Sequence, residues 1–119
     1  MMKINLDNYE IVSKFVFGAN LKIIFRNMID TTDRKVLELK EVVGFIDTAS
    51  GSKAIQTLRL DTKGGSYNFD LSLRLQREEI NKFPEAFIFT DKTCVDFCFR
   101  AAAKSIEFRD WTEKDKWLS

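Results

Sequence analysis

Two cysteines, an aspartate and an arginine fall within eight residues in the segment TCVDFCFR, residues 93–100. Clustered thiolates and carboxylates can ligate a metal ion, and a cysteine beside a cation can act as a nucleophile. Here the odd-numbered residues 95–99 are apolar and the even-numbered ones are polar or small, which predicts a strand. In a strand the Cα atoms of Cys94 and Cys98 lie about 13 Å apart, beyond disulfide reach. We therefore predict no metal site and no cofactor, and we leave the reactivity of either thiol open.

The sequence contains no histidine. This removes the usual general base near neutral pH, the commonest transition-metal ligand, and every Ser-His or Cys-His nucleophile pair. The enzymatic alternative that remains is a pair of carboxylates on one face, for example Asp70 and Asp96. We predict that the protein is not an enzyme.

Length and charge exclude further classes of protein. The chain of 119 residues is 45% hydrophobic and 31% charged, as expected for a single globular domain spanning residues 1–119. A formal net charge of +1 offers no basic footprint for nucleic acid. Charges interrupt every apolar run well short of a membrane span, and the first ten residues carry no apolar leader. Together with only two cysteines, this predicts a soluble cytoplasmic protein without membrane contact.

Alternating apolar and polar residues dominate the chain. Residues 66–76, SYNFDLSLRLQ, alternate without exception and predict an antiparallel strand, joined through the turn DTKGGS to residues 54–61, AIQTLRLD, as a hairpin. The same pattern recurs over residues 21–30, over residues 35–48 with a bend at Gly44, and over residues 105–110 after a turn at AAAK. We predict a mainly β fold: an antiparallel β-barrel or β-sandwich of seven to eight strands with one or two short helices.

Three segments are candidates for a short helix. Residues 8–17 alternate like a strand, with Tyr9, Ile11, Phe15 and Phe17 on one side, but Asn8 and Gly18 could also frame a short helix. We favour the strand because β-branched and aromatic residues are frequent there. Short helices are predicted for residues 76–83 and for the C-terminal segment after Asp110 or Thr112.

The candidate binding residues are arginines on the polar sides of the strands and two tryptophans near the C terminus. Arginine on a rigid strand and exposed tryptophan are frequent anchors of protein interfaces. The ordinary alternatives are a solvated face of ion pairs and tryptophans that pack back onto the sheet. The predicted set is Arg26, Arg59, Arg74, Arg100, Trp111 and Trp117.

These observations predict a non-enzymatic protein-binding module whose partner is another protein. Its size and character are those of small immunity or antitoxin proteins that inhibit one cognate target, an analogy of class without a motif behind it. Two alternatives stay open: a barrel that carries a small apolar ligand, and a single-stranded nucleic-acid binder that uses Phe25, Tyr67 or a tryptophan for stacking. Nucleic acid is the less favoured partner because of the neutral charge. A homodimer formed through an edge strand is also open.

Overall fold

The computed structural model describes residues 2–48, 55–61, 83–90 and 97–118. These residues form seven strands and one short 3-10 helix, so the prediction of a mainly β fold is confirmed. No helix within these ranges is long and apolar enough to cross a membrane. The strands are β1 (Met2–Asn5), β2 (Tyr9–Phe17), β3 (Asn20–Asn27), β4 (Arg34–Asp47), β5 (Thr57–Asp61), β6 (Glu85–Phe89) and β7 (Phe97–Asp110), and the 3-10 helix is Glu113–Leu118.

All seven strands belong to one antiparallel sheet with the order β1-β5-β6-β7-β4-β3-β2. β1 and β2 lie at opposite ends of this order, yet only residues 6–8 separate them in the chain. So short a link cannot span a flat seven-stranded sheet, because three residues reach only about 10 Å. The sheet must therefore curl until its two ends meet at this link. Among the described strands it is not closed into a barrel, so the choice between barrel and sandwich stays a prediction.

The inner face of the curled sheet carries the hydrophobic core. Side chains from β3 to β7, together with Leu6 from the link, form one buried cluster, as alternation along curved strands requires. Its largest fully buried members are Phe25, Phe99, Leu6, Ile23, Leu37, Leu39, Leu58 and Ile88.

Residues 9–17 form a strand, so our preference over a helix is confirmed, but a bulge changes which side chains face inward. The register against β3 shifts between Ile11 and Ser13, leaving Val12 as an extra residue. One extra residue reverses the alternation that follows it. As a result Lys14, whose ammonium lies 5.8 Å from the ring of the core residue Phe99, faces inward and Phe15 faces outward. The prediction of a single apolar face along this segment is wrong beyond Ile11.

The bend predicted near Gly44 coincides with a second register shift, between Val42 and Gly44 in the pairing of β4 with β7. The turn predicted at AAAK is wrong, because β7 continues without a break through residues 101–104. Alanine is not a turn-forming residue, and Ala101, Ala102 and Ala103 are fully buried where β7 pairs with both β4 and β6.

One arm of the predicted hairpin, residues 54–61, contains β5, and the other arm lies outside the described residues. β5 pairs with β1 on one side and with β6 on the other, so both sides are occupied over residues 57–60. The predicted strand 66–76, the predicted helix 76–83, and Asp70, Cys94 and Asp96 lie outside the described residues.

The predicted C-terminal helix is present as the 3-10 helix, and Asp115 fastens it to the sheet. The fully buried carboxylate of Asp115 accepts hydrogen bonds from Arg109 at 2.7 and 2.9 Å, from the backbone N–H of Thr112 at 2.9 Å and from Lys22 at 3.3 Å. Arg109 shares a cross-strand row with Val36 and Ile24, which are buried on the outer face. The helix is thereby held against this part of the outer face.

These hydrogen bonds, chiefly those from Arg109, hold the pKa of Asp115 well below its usual range. Asp115→Asn should lower the free energy of unfolding by about 2 kcal/mol at neutral pH, because buried charged donors lose their acceptor. A depressed carboxyl pKa stabilises the fold above the unfolded-state pKa of about 4, and this contribution is lost as the pH falls below that value. The difference in free energy of unfolding between wild type and Asp115→Asn, measured by urea unfolding, should therefore shrink as the pH falls from 5 to 3. The exposed Glu113→Gln on the same helix is the control and should change stability by less than about 0.5 kcal/mol; an equal effect would contradict this role of Asp115.

Candidate functional site

The loop between β3 and β4, residues 28–33, presents two large apolar side chains to solvent. Met28 is 50% and Ile29 is 79% exposed, and Ile29 is the most exposed large hydrophobic side chain among the described residues. The sequence breaks its alternation here, where an apolar pair stands between the turn-forming Asn27 and Asp30. We refer to residues 28–33 as the β3–β4 loop and to Met28 and Ile29 as its apolar tip.

Hydrogen bonds fix the conformation of the β3–β4 loop. The side-chain oxygen of Asn27 accepts from the backbone N–H groups of Ile29 and Asp30 at 2.8 and 3.0 Å. The carboxylate of Asp30 accepts from the backbone N–H and hydroxyl of Thr32 at 3.1 and 2.6 Å. The backbone N–H of Asn27 donates to the backbone carbonyl of Asp33 at 2.9 Å, and the backbone N–H of Asp33 donates to the backbone carbonyl of Asp30 at 3.0 Å. The apolar tip is therefore exposed on a loop with defined backbone partners.

Hydrogen bonds and an ion pair connect the base of the loop to neighbouring parts of the sheet. The backbone N–H of Met28 donates to the carbonyl of Asn8 at 2.7 Å, and Asn8 itself has a left-handed φ of 71°. The Tyr9 hydroxyl donates to Asp33, whose carboxylate also lies 3.7 Å from the ammonium of Lys35. These contacts connect the loop to the link between β1 and β2 and to the start of β4.

Hydrogen bonds and burial shift the pKa values of Asp30, Lys35 and Tyr9 at this end of the sheet. Hydrogen bonds from Thr32 hold the pKa of Asp30 below its ordinary value. The hydrogen bond to Asp110 raises the pKa of Lys35. Burial, and then the hydrogen bond to Asp33, raise the pKa of Tyr9, which stays a neutral phenol at physiological pH. Asp30 thus places a carboxylate next to Ile29 of the apolar tip.

Two of the predicted binding residues flank this loop. Arg26 ends β3 and is paired with Glu10 on β2 at 3.1 Å, and Arg26 and Arg34 are cross-strand neighbours. The guanidinium of Arg34 lies 5.4 Å from the ring centroid of the half-buried Trp111, whose backbone N–H donates to the carbonyl of Arg34. Arg26 and Trp111 therefore lie in one outer row at the base of the loop, and Trp111 packs back onto the sheet.

Arg59 and Arg100 lie elsewhere and do not belong to a solvent-facing surface. They are only 6% and 4% exposed, and their guanidinium groups lie 4.4 and 5.2 Å from the ring centroid of Phe87, on the strand between them. Arg100 is paired with the buried Glu85 at 3.2 Å, and Arg59 with Asp61 at 3.4 Å. The outer face is therefore buried around these two arginines, and their role as binding residues stays a prediction. Arg74 and the side chain of Trp117 lie outside the described residues.

Cys98 is buried in the core, not on a polar face. The register between β6 and β7 pairs Ile88 with Phe99 and Phe89 with Phe97, so Cys98 is an extra residue at a bulge. Burial raises the pKa of this thiol, which lowers its reactivity. Within the described ranges, no three Cys, Asp or Glu side chains converge as metal ligands would.

Comparisons of the chain with protein-family models, with curated protein sequences and with solved structures each give no significant match. The geometry of the β3–β4 loop is therefore the basis for its interpretation. The sequence predicts a turn only at TTDR, residues 31–34, and places residues 28–30 at the end of the preceding strand, although the apolar pair between Asn27 and Asp30 was an available signal for a longer loop.

Asn27→Ala should loosen the β3–β4 loop without unfolding the sheet, because it removes the acceptor shared by two backbone N–H groups. We expect amide hydrogen exchange at Ile29 and Asp30 to accelerate by about tenfold. The matched control is Asn5→Ala, which removes the acceptor of the Asp7 N–H at 2.8 Å in the neighbouring link. Unchanged exchange at residues 29 and 30 in Asn27→Ala would show that the side chain of Asn27 does not hold the loop.

Proposed function

We propose that the protein is a non-enzymatic protein-binding module that inserts the β3–β4 loop into a partner protein. The observation that carries the proposal is the apolar tip, which is exposed on a hydrogen-bonded loop. Burying large apolar side chains favours association by roughly 25 cal/mol per Å². A loop that already has its bound conformation avoids most of the entropic cost of ordering on binding.

The chemistry of the tip defines the kind of partner. Met28 and Ile29 fit an apolar pocket, and the ionised Asp30 beside them favours a cationic group at the rim of that pocket. Binding pockets and active sites of proteins are concave and largely apolar, with a few placed polar groups. We therefore propose an inhibitor of one cognate protein, of the immunity or antitoxin type, in which the loop occupies a pocket of the target.

The setting we propose is the cytoplasm, where thiols stay reduced, as suits the free thiol of Cys98. The alternatives have less support. A single-stranded nucleic-acid binder needs exposed stacking and cationic groups, but the stacking candidate Phe25 is fully buried, and Arg59 and Arg100 are almost fully buried. A carrier of a small apolar ligand would need interior space, whereas the described inner face forms one packed cluster.

Site-specific photo-crosslinking in cells of the source organism tests this proposal. A photoreactive residue at position 29 should give one dominant protein adduct. The same residue at position 2 should not give it, although Met2 is also an exposed apolar residue, at 55%. Adducts with many proteins, or the same adduct from both positions, would contradict the proposal.

Binding of the purified adduct partner then tests the role of the tip. Ile29→Ser should raise the dissociation constant by at least about tenfold, because the loss of a buried apolar anchor costs more than about 1.4 kcal/mol. Its melting temperature should match that of wild type, since the side chain contributes little to the core. The control Met2→Ser should bind as wild type does. Equal affinity of Ile29→Ser and wild type would refute the proposed role of the loop.

A further inference from the structure

Arg34 follows the β3–β4 loop directly and is the first residue of β4. It belongs to a row of side chains that crosses the outer face at the base of the loop, in the order Glu10, Arg26, Arg34 and Trp111, which we call the outer row. Both neighbours fix its backbone, because Arg34 pairs with Arg26 on β3 and its carbonyl accepts the backbone N–H of Trp111 at 3.0 Å. Arg34 therefore has a defined position beside the apolar tip.

The guanidinium of Arg34 has no acidic partner among the described residues. The other described arginines each form an ion pair with a carboxylate: Arg26 with Glu10, Arg59 with Asp61, Arg100 with Glu85 and Arg109 with Asp115. Arg34 instead lies opposite a like charge, since Arg26 is its cross-strand neighbour. Like charges opposite each other in a sheet are unfavourable. The fold thus keeps a cation at this position that carboxylates of the described residues do not neutralise.

Trp111 holds this cation in place. The guanidinium lies over the indole ring, 5.4 Å from its centroid, where the ring quadrupole attracts it. A guanidinium stacked on an aromatic ring can still direct its fork of N–H groups at a carboxylate. Because the half-buried side chain already has a contact that orders it, binding costs little further side-chain entropy. Arginine and tryptophan are also enriched among the residues that dominate the energetics of protein interfaces.

We propose that Arg34 binds a carboxylate of the partner protein, an aspartate or a glutamate at the edge of the pocket that takes up the apolar tip. This inference rests on the proposed function and adds the charge pattern of the partner, with a cationic group facing Asp30 and a carboxylate facing Arg34. A carboxylate accepts two parallel hydrogen bonds from one guanidinium, which defines the orientation of the bound partner.

The charges around Arg34 favour a single carboxylate over a polyanion. The β3–β4 loop and the outer row together carry three carboxylates, those of Glu10, Asp30 and Asp33, and two guanidinium groups. A nucleic acid would bring a chain of phosphates against this net negative charge. One carboxylate contacts only Arg34, the one cation of this set that lacks an acidic partner among the described residues.

The affinity of the partner protein identified by photo-crosslinking at position 29 tests this contact. Arg34→Gln should raise the dissociation constant about tenfold, because a charge-assisted pair is lost at the interface. Raising the salt concentration from about 50 to about 500 mM should weaken the binding of wild type more than that of Arg34→Gln, since salt screens the ion pair. The control Lys40→Gln removes a cation from the same face of β4, farther from the loop, and should bind as wild type does.

Two further measurements on Arg34→Gln separate a direct contact from a structural effect. The melting temperature should stay close to that of wild type, because the lost contact with Trp111 is offset by removal of the charge opposite Arg26. Amide hydrogen exchange at Ile29 and Asp30 should be unchanged, since the side chain of Asn27 holds that part of the loop.

Carbodiimide cross-linking of the complex identifies the group that Arg34 contacts. The reagent joins an amine to a carboxylate in direct contact, so Arg34→Lys should become linked to one aspartate or glutamate of the partner, which mass spectrometry of the digested complex locates. Wild type should give no link at position 34, because the guanidinium does not react. Lys40 should give no link to the partner in either protein.

The outcomes distinguish this inference from the proposed function. If Ile29→Ser weakens binding while Arg34→Gln binds as wild type does, the carboxylate contact is overturned and the insertion of the loop stands. The same holds if Arg34→Lys gives no link to a carboxylate of the partner. If Ile29→Ser binds as wild type does, the proposed function fails, and if Arg34→Gln also binds as wild type does, both fail.

Discussion

The link between β1 and β2 is the constraint on which the rest of the structure depends. Its three residues join the two ends of a seven-stranded sheet, so the sheet has to curl around a single core. Leu6 of the link is buried in that core, and Asn8 adopts a left-handed conformation to start β2. The carbonyl of Asn8 accepts a hydrogen bond from the backbone N–H of Met28, and the Tyr9 hydroxyl donates a hydrogen bond to the carboxylate of Asp33. The link that joins the two ends of the sheet therefore also holds the exposed loop in place.

Curling also separates the polar residues into different environments. On the outer face of β5, β6 and β7, Arg59 and Arg100 are buried around Phe87 with acidic partners, and this arrangement suits packing more than recognition. Over β3, β4 and β7, the 3-10 helix is held by Asp115. The exposed large apolar side chains of the described residues include pairs at the two opposite ends of the β2–β3 hairpin, Met28 and Ile29 in the β3–β4 loop and Val16 and Phe17 at the far end of β2.

Alternation predicted β2 to β5 and two parts of β7, because it reports directly which side chains face a core, but it gave no signal for the short strands β1 and β6. It could not predict the bulges at Val12 and at Cys98, since a single inserted residue has no compositional signature, whereas Gly44 did mark the bend beside the register shift in β4. Nor could it predict that residues 57–61 pair with β1 and β6, because the order of strands depends on contacts distant in sequence. The candidate site was predicted in part, because Arg26 and Trp111 lie beside the β3–β4 loop. Met28 and Ile29 continue the apolar pattern of a strand in the sequence, and only the hydrogen bonds to the side chain of Asn27 show that they lie in a loop.

Hydrogen bonds hold the apolar tip rigid while it is exposed to water. Backbone ¹⁵N relaxation of residues 28–33 in the free protein measures this rigidity directly. We expect order parameters close to the value of about 0.85 that is typical of rigid backbone, matching those of β3 and β4. Values below about 0.6 for these residues would contradict it, because a flexible loop would have to be ordered by the partner at an entropic cost.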